Sequence, residues 1–524
     1  MKPFRVALCQ VRAYDIDEAE TNLQNLLRAL DEAGQSGAQL VALPECAYPA
    51  YYLGDNHPYA HPEVRPFEEV TGLFAAKARQ YGYWLAAGMA VPHGPGEVTN
   101  SGVVFNPAGE IVGRYDKSFL WHFDTRWFRQ GRDFPVFETN FARFGVLICA
   151  DGRQPEIARM LMVGGAEVIV DLTAWVSWGR TTGELSTTQC EYLMPVRAFE
   201  NGAWVVAADK WGPERGTNIY AGRSTVIDPT GSTRVCAPPD QETVVVYDLA
   251  PEYVEPLPRR PALYRTLVRP TDELPAIALE REPLVPAEEN RRVAVVPDGG
   301  PFDAQQMAQR YELLREQDAD LVVFSGREGA EDWRVQLPLI EATVRARGGA
   351  LAFAVRSDGA AAPMQTAVLV TPERTFEHQA THGRGIALGE TPAQVVPTDA
   401  GNVGLLCGEE AFVPEVARCL ALEGADILAW TAFANHEMQE SVARARSDEN
   451  RVYTATAWPG GGLITSPEGG VLTAVPAGTG VAMAAGVSRA IARLKYRAPG
   501  THVFRDRVPE AYGRLVDDWS SSVS

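Results

Sequence analysis

The chain repeats itself. Residues 145 to 170, GVLICADGRQPEIARMLMVGGAEVIV, read against 402 to 428, NVGLLCGEEAFVPEVARCLALEGADIL. Each has a strand-like run ending near a cysteine, Pro-Glu opening a helix, an Ala-Arg pair, a glycine stop and a second strand-like run. Four more pairs follow in the same order. SGAQLVALPE (36 to 45) pairs with QDADLVVFSG (317 to 326), and NPAGEIVGRYDK (106 to 117) with TPERTFEHQATH (371 to 382). ENGAWVVAA (200 to 208) pairs with ENRVYTATA (449 to 457), and RRPALYRTLV (259 to 268) with RVPEAYGRLV (507 to 516). Such order at nearly constant offset means an internal duplication, so one fold must suit both halves. The seam lies at 271 to 290, PTDELPAIALEREPLVPAEE, which is proline-rich, acidic and without sustained period. Residues 1–270 therefore read as a first domain, 271–290 as a linker and 291–524 as a second domain.

Within each half, β-branched runs such as FRVALCQ, LVALPE and VLICA alternate with helical patterns such as AETNLQNLLRALDEAG, which predicts α/β layers with helices covering sheets. At 524 residues, 46% of them hydrophobic, the chain can bury two cores. A formal charge of -19 argues against nucleic-acid or anionic-membrane partners, which need basic patches. The seven cysteines are odd in number and scattered, without CxxC spacing, as free thiols of a reducing cytosol would be. MKPFRVALCQ starts a strand at once, and no apolar run has spanning length, so a cytoplasmic protein is expected.

Cys149 stands where a strand runs into a helix. N–H groups at a helix start favour a thiolate there, although a lone buried cysteine ending a core strand is an equally plain reading. Glu45 ends the strand QLVALPE and Lys117 follows a strand-turn-strand; singly, each reads as a surface residue. Together they supply a general base for a thiol and an ammonium for a developing oxyanion, with the backbone N–H of Ala150 as a second oxyanion donor. In the second half Cys407 is retained, but Gly326 stands opposite Glu45 and His382 opposite Lys117, so that half is expected to be inactive. PGGGLITSPEGG (459 to 470) lacks the Lys-Ser/Thr ending of a phosphate loop and reads as a turn. The two histidines of EHQATHGRG have no acidic third ligand, and no metal site is expected.

VALCQ, VALPE, GRYDK, CADGRQPEIAR and RRPALY together resemble the nitrilase superfamily of carbon-nitrogen hydrolases. The resemblance implies an αββα sandwich in each repeat and a Glu-Lys-Cys triad of Glu45, Lys117 and Cys149. It further implies attack on an amide or nitrile carbon, loss of ammonia or amine, hydrolysis of a thioester, and no metal or organic cofactor. Asp124, in WHFDTRWF, stands where the family normally has a glutamate. One methylene shorter, it either supports Lys117 or is merely structural. CADGRQPE resembles amidases and N-carbamoyl amino acid hydrolases, in which an arginine four places after the nucleophile holds the substrate carboxylate. Arg153 has that place, and the alternative is pairing with Asp151 or Glu156. His122 matches a polar site residue of carbamoylases or is a packed loop residue. Trp121, Trp127, Trp175 and Trp178 wall a substrate pocket or belong to the core. Since family members commonly dimerise, two fused copies imply an intramolecular pseudo-dimer with one working site, further association being open. The expected substrate is a small linear amide, with N-carbamoyl or ureido compounds foremost. Nitrile hydrolysis, acyl transfer and a non-catalytic small-molecule binder or scaffold are the alternatives.

Overall fold

The computed structural model describes all residues except 178, 180, 182–183, 253, 284–289, 330–332, 360, 476–479 and 518–524; Trp178 is thus outside the described residues. The chain forms two compact units, and neither is continuous in sequence. Unit 1 comprises Met1–Pro256, Ala498–Thr501 and Asp506–Ala511; unit 2 comprises Leu257–Arg497, His502–Arg505 and the remainder from Tyr512.

In unit 1, β1 (Phe4–Arg12), β2 (Leu40–Tyr48) and β3 (Trp84–Gly94) are parallel, and β4 (Glu97–Phe105) and β5 (Ile111–Asp116) return antiparallel. Helices α1 (Ala19–Gln35) and α2 (Phe67–Tyr81) cover one face of this sheet through Leu23, Leu26, Leu30, Val70 and Phe74. Helix α2 stops at Gly82, whose φ of 71° suits a residue without Cβ. The second layer holds β6 (Val136–Glu138), β7 (Arg143–Ile148), β8 (Val168–Thr173) and β9 (Trp204–Glu214), and is joined to the first where Val11 and Arg12 of β1 pair with Lys210 and Trp211 of β9. Helices α3 (Pro155–Val163) and α4 (Met194–Asn201) accompany it, α3 with its proline at the first turn. The sheets meet closely: a Cβ on Gly102 of β4 would lie 2.8 and 2.9 Å from Val146 of β7 and Leu172 of β8. Strands β10 (Asn218–Ala221) and β11 (Thr225–Ile227) pair with β9, β12 (Thr233–Cys236) with β11, and β13 (Thr243–Leu249) with β1.

Unit 2 repeats this plan. Its first sheet contains β14 (Arg291–Val296), β15 (Leu321–Glu328), β16 (Ala350–Ser357), β17 (Met364–Val370) and β18 (Thr375–Gln379). Its second contains β19 (Val395–Thr398), β20 (Gly401–Cys407), β21 (Ile427–Thr431), β22 (Tyr453–Trp458), β23 (Gly461–Thr465) and β24 (Val471–Val475); β25 (Ala482–Val487) completes the first. Alternation along the strands builds the layers. Val293, Val295, Leu321 and Val323 pack with Val403, Leu405, Ile427 and Ala429 between the sheets. Their neighbours Ala294, Val296, Val322 and Phe324 face Met307, Tyr311, Ile340 and Val344 of the outer helices. Full burial of each such aliphatic side chain contributes about 1.5–3 kcal/mol. The α/β layering read from the alternation, and the sandwich that the resemblance implies, are the observed fold. Two details differ: Gly461–Thr465 of the glycine-rich run is strand β23 rather than turn, and Pro275–Leu279 of the expected linker is a short helix, α5, with Ala276 and Ile277 buried.

The duplication extends to buried polar networks. In unit 1, Arg159 donates to the Glu200 carbonyl, Arg197 pairs with the Glu200 carboxylate and donates to the Gly152 carbonyl at 3.0 Å, and Asn201 donates to the Arg197 carbonyl. In unit 2, Arg418, Arg446, Glu449 and Asn450 repeat this set, with Arg446 donating to the Ala411 carbonyl at 2.7 Å. These are the Ala-Arg and Glu-Asn echoes of the sequence. The chain ends are exchanged in the same register. Arg507, in unit 1, meets Glu156 at 2.9 Å, and Arg259, in unit 2, meets Glu415 at 3.0 Å.

The backbone corrects two sequence correspondences. Ile148 and Cys407 each donate a backbone N–H, at 2.9 Å, to the carboxylate three residues on, Asp151 and Glu410 respectively. The residue after each has positive φ, 49° at Cys149 and 60° at Gly408. The counterpart of Cys149 is therefore Gly408, and Cys407 is a fully buried strand end matching Ile148. Likewise the N–H of Lys117 donates to the Asn100 carbonyl and that of Ala380 to the Gln365 carbonyl, both at 2.8 Å. Ala380, not His382, matches Lys117. The first hairpin carries a longer turn and a register shift at Val104/Phe105, while the second pairs without a shift, which displaces the sequence match by two residues. His382 instead meets the Tyr264 hydroxyl at 2.6 Å, and His378 meets Glu410 at 2.9 Å.

Candidate active site

Three strand ends of unit 1 converge. Glu45 lies in β2, Lys117 directly follows β5, and Cys149 directly follows β7; Glu45 and Lys117 are fully buried and Cys149 is 8% exposed. Lys117 Nζ donates to Glu45 Oε1 at 2.7 Å and to Asp124 Oδ2 at 2.6 Å, so one ammonium is held between two carboxylates. Asp124 reaches Lys117 despite its short side chain because a 3₁₀ turn, His122–Arg126, draws it inward. Its carboxylate also accepts the Tyr51 hydroxyl at 2.6 Å and the Trp121 N–H at 2.9 Å. Asn100 donates to Glu45 Oε1 at 2.7 Å, while Glu45 Oε2 has no hydrogen-bond partner among the described residues. A second carboxylate oxygen is thereby left for a proton in transit.

Cys149 has φ 49°, a conformation costly for a residue with a Cβ. Its N–H donates to Asp171 Oδ1 at 2.9 Å and its carbonyl accepts Gln189 Nε2 at 2.5 Å, which holds the turn from both sides. Asp151, in the same turn, accepts the N–H groups of Ile148 and Phe119 and the Tyr115 hydroxyl, at 2.9, 2.7 and 2.8 Å. Burial brings its carboxyl up to about 7, against the opposing pull of Lys117 and those donors.

The electrostatics favour the thiol over a ready-made thiolate. Burial, then the charge of Glu45, push the Cys149 thiol well above its ordinary value, and Lys117 only partly opposes them. Burial also raises Glu45, against the pull of Lys117. For Lys117, burial acts downward, but Asp124 and Glu45 outweigh it and hold its pKa well above the usual lysine value. The site thus favours a thiol over a thiolate, holds Lys117 as an ammonium and shifts the Glu45 carboxylate toward neutrality. Such a set can deliver a sulfur nucleophile when the carboxylate takes its proton.

Arg153 lies 5.0 Å above the Trp121 ring and donates to Thr188 Oγ1 at 3.2 Å, while Glu156 pairs with Arg507 at 2.9 Å. His122 is half-buried at φ 50°, with its N–H donated to Thr501 Oγ1 at 2.6 Å. Trp127 belongs to a buried aromatic cluster with Tyr52 and Phe123, and Trp175 is 1% exposed. Sequence reasoning missed Tyr51, Asn100, Asp171, Gln189 and Thr501. Only Asp171 carried a signal, as a charged residue in the otherwise apolar, strand-forming run VIVDL. Among the described residues no group of three or more His, Cys, Asp or Glu could hold a metal ion, and no helix is long and apolar enough to cross a membrane.

Comparison with known proteins gives the class of protein: a cysteine-dependent hydrolase of carbon-nitrogen bonds other than peptide bonds. The profile of the carbon-nitrogen hydrolase family matches residues 5–259 and again 360–496, and the chain belongs to that family, within the nitrilase superfamily. An omega-amidase of Xenopus tropicalis is 29% identical over 263 residues, covering 48% of this chain and 91% of the relative. A nitrilase of Pyrococcus abyssi is 32% identical over 247 residues, covering 47% and 89%. Among solved structures, an amidase from Nesterenkonia sp. is 26% identical, with a TM-score of 0.42, covering 47% of this chain and 90% of its own.

Proposed function

We propose that unit 1 hydrolyses small linear amides, N-carbamoyl and ureido compounds foremost, with Glu45, Lys117 and Cys149 as the catalytic residues. The observation that carries this reading is the buried Lys117 ammonium held at 2.7 and 2.6 Å by Glu45 and Asp124 beside the strained Cys149 turn. As sulfur bonds to the carbonyl carbon, the thiol proton passes to Glu45, and Lys117 with the Ala150 N–H offsets charge on the oxygen. The C–N bond then breaks, and the leaving nitrogen takes the proton from Glu45. Water adds to the thioester, giving a proton to Glu45; the C–S bond breaks and the sulfur regains that proton. Asp124 keeps Lys117 charged and in place. Arg153, one turn beyond the nucleophile, is the group for a substrate carboxylate, with Trp121 at its side and Trp175 and His122 nearby in sequence to the site loops.

The same reading assigns residues 1–270 as the catalytic domain sequence, 271–290 as the connection and 291–524 as the inactive partner, both members of a pseudo-dimer in one chain. Further oligomers remain for sedimentation to count. The seven cysteines, none of them in a disulfide, support a cytoplasmic setting. The test is incubation with N-carbamoyl amino acids, ω-amides and nitriles, with ammonia release and the mass of the Cys149 adduct as readouts. Adducts at Cys149 from amides or ureides are expected. Turnover of nitriles alone would replace the amidase reading by nitrile hydrolysis, and no adduct with any substrate would leave a binding protein.

A further inference from the structure

In unit 2 the places of Glu45, Lys117 and Cys149 are taken by Gly326, Ala380 and Gly408, which carry no reacting group. Yet the place is a cavity of about 230 Å³, lined by Gly408, Gln365, Arg356, Phe412 and Phe433 among others. Close neighbours crowd Gly326 and Gly408. A Cβ on Gly326 would lie 2.5 Å from the Phe433 ring, and one on Gly408 would lie 2.2 Å from Gln365 Oε1. The Phe433 ring and the Gln365 carboxamide thus lie where side chains at positions 326 and 408 would begin.

Gln365 is 8% exposed, and its Oε1 has no hydrogen-bond partner among the described residues. A buried acceptor left so has lost its water without compensation, and a ligand donor would restore the missing hydrogen bond. Arg356 sits directly opposite Gln365 in the antiparallel β16–β17 ladder, so both side chains stand on one face with Cβ atoms roughly 5 Å apart. The acceptor and the guanidinium therefore meet neighbouring groups of one small molecule. Arg356 and Arg384 face one carboxylate, Glu409, whose Oε2 already accepts the Arg384 N–H at 2.7 Å. Anionic ligands fit that balance. The volume falls below the roughly 300–1,000 Å³ of sites for drug-sized molecules.

We propose that this cavity is a non-catalytic binding site for small carboxylates bearing an N–H on the adjacent carbon, of the N-acyl α-amino acid type. The N–H donates to Gln365 Oε1, the carboxylate meets Arg356, and the Phe412 and Phe433 rings cover the acyl group. The site is independent of the chemistry assigned to unit 1.

Calorimetric titration of the full chain carrying Cys149→Ala tests this with N-acetylglycine as probe. Saturable binding is expected, weakened about tenfold or more by Arg356→Ala and by Gln365→Leu, and retained within a few-fold by Arg356→Lys. Acetoxyacetate, the isostere with an ester oxygen for the N–H, and N-acetylglycinamide, without the carboxylate, should each bind about tenfold or more weakly. Because Gln365→Leu removes an unsatisfied oxygen, its melting temperature should hold or rise while its affinity falls. With Cys149 intact, turnover by the Arg356→Ala chain should match the parent, which separates this site from unit 1. Undetectable binding of N-acetylglycine, equal binding by the Arg356→Ala chain, or equal binding of the ester isostere would each overturn the proposal.

Discussion

The turn after β7 and the turn after β20 have the same backbone and opposite contents. Both begin with an N–H given to a carboxylate three residues on, and both then pass through positive φ. In unit 1 the positive-φ residue is Cys149, which accepts strain of about 1–3 kcal/mol to present its sulfur. In unit 2 it is Gly408, which feels none, and a side chain there would strike Gln365. Strain tolerated in one copy and relieved in the other marks where this scaffold holds its chemistry. Loss of the reacting groups in unit 2 left a packed, duplicated frame around a differently furnished cavity.

The contrast breaks most sharply at the two cysteines. Cys149→Ala should reduce turnover to background, whereas Cys407→Ala should leave it within about twofold of the parent, the side chain being a strand-end core group. Equal losses, measured as ammonia release, would reverse the assignment of the working copy. Next in size is Glu45→Gln, expected to lower kcat by about 10²–10⁴-fold and to slow iodoacetamide labelling of Cys149, since the thiol needs that base. The pH profile carries the sign. Because the Glu45 pKa is raised and its ionised form accepts the thiol proton, kcat/KM should fall as pH drops through a point above the ordinary carboxylate value of 4.5. An acid limb below that value would contradict the role.

Asp124→Asn, which removes one of two charges on Lys117, should cost about ten- to a hundredfold in kcat, as expected for a charged hydrogen bond of about 1.5–3 kcal/mol. Unchanged kcat would make Asp124 merely structural. The smallest effect expected is that of Thr501→Val. Thr501 accepts the His122 N–H two residues before Asp124, so its loss should lower kcat about two- to tenfold without shifting the pH limb. An unaltered rate would show that the exchanged tail does not tension the loop.

Much of this was legible from residue order alone. The doubled PE-x-AR and EN segments became duplicated buried ion-pair networks, because buried charges need partners and so leave matched letters in both copies. The strand alternation became the layers. What misled was the letter match of Cys407 to Cys149 and of His382 to Lys117. A one-residue slip in one turn, and two in a hairpin, cannot be counted from composition when both versions keep the same flanking pattern.

The amino-acid sequence by itself determined the duplication, the α/β layering and the order of glutamate, lysine and cysteine along the first repeat, because these follow from periodicity and local residue chemistry. Only the tertiary structure decided the register of the second copy, the exchange of the chain ends and the upward shift of the Cys149 thiol. Ladder hydrogen bonds count residues across strands, and burial beside Glu45 is a property of packing between segments that lie about a hundred residues apart.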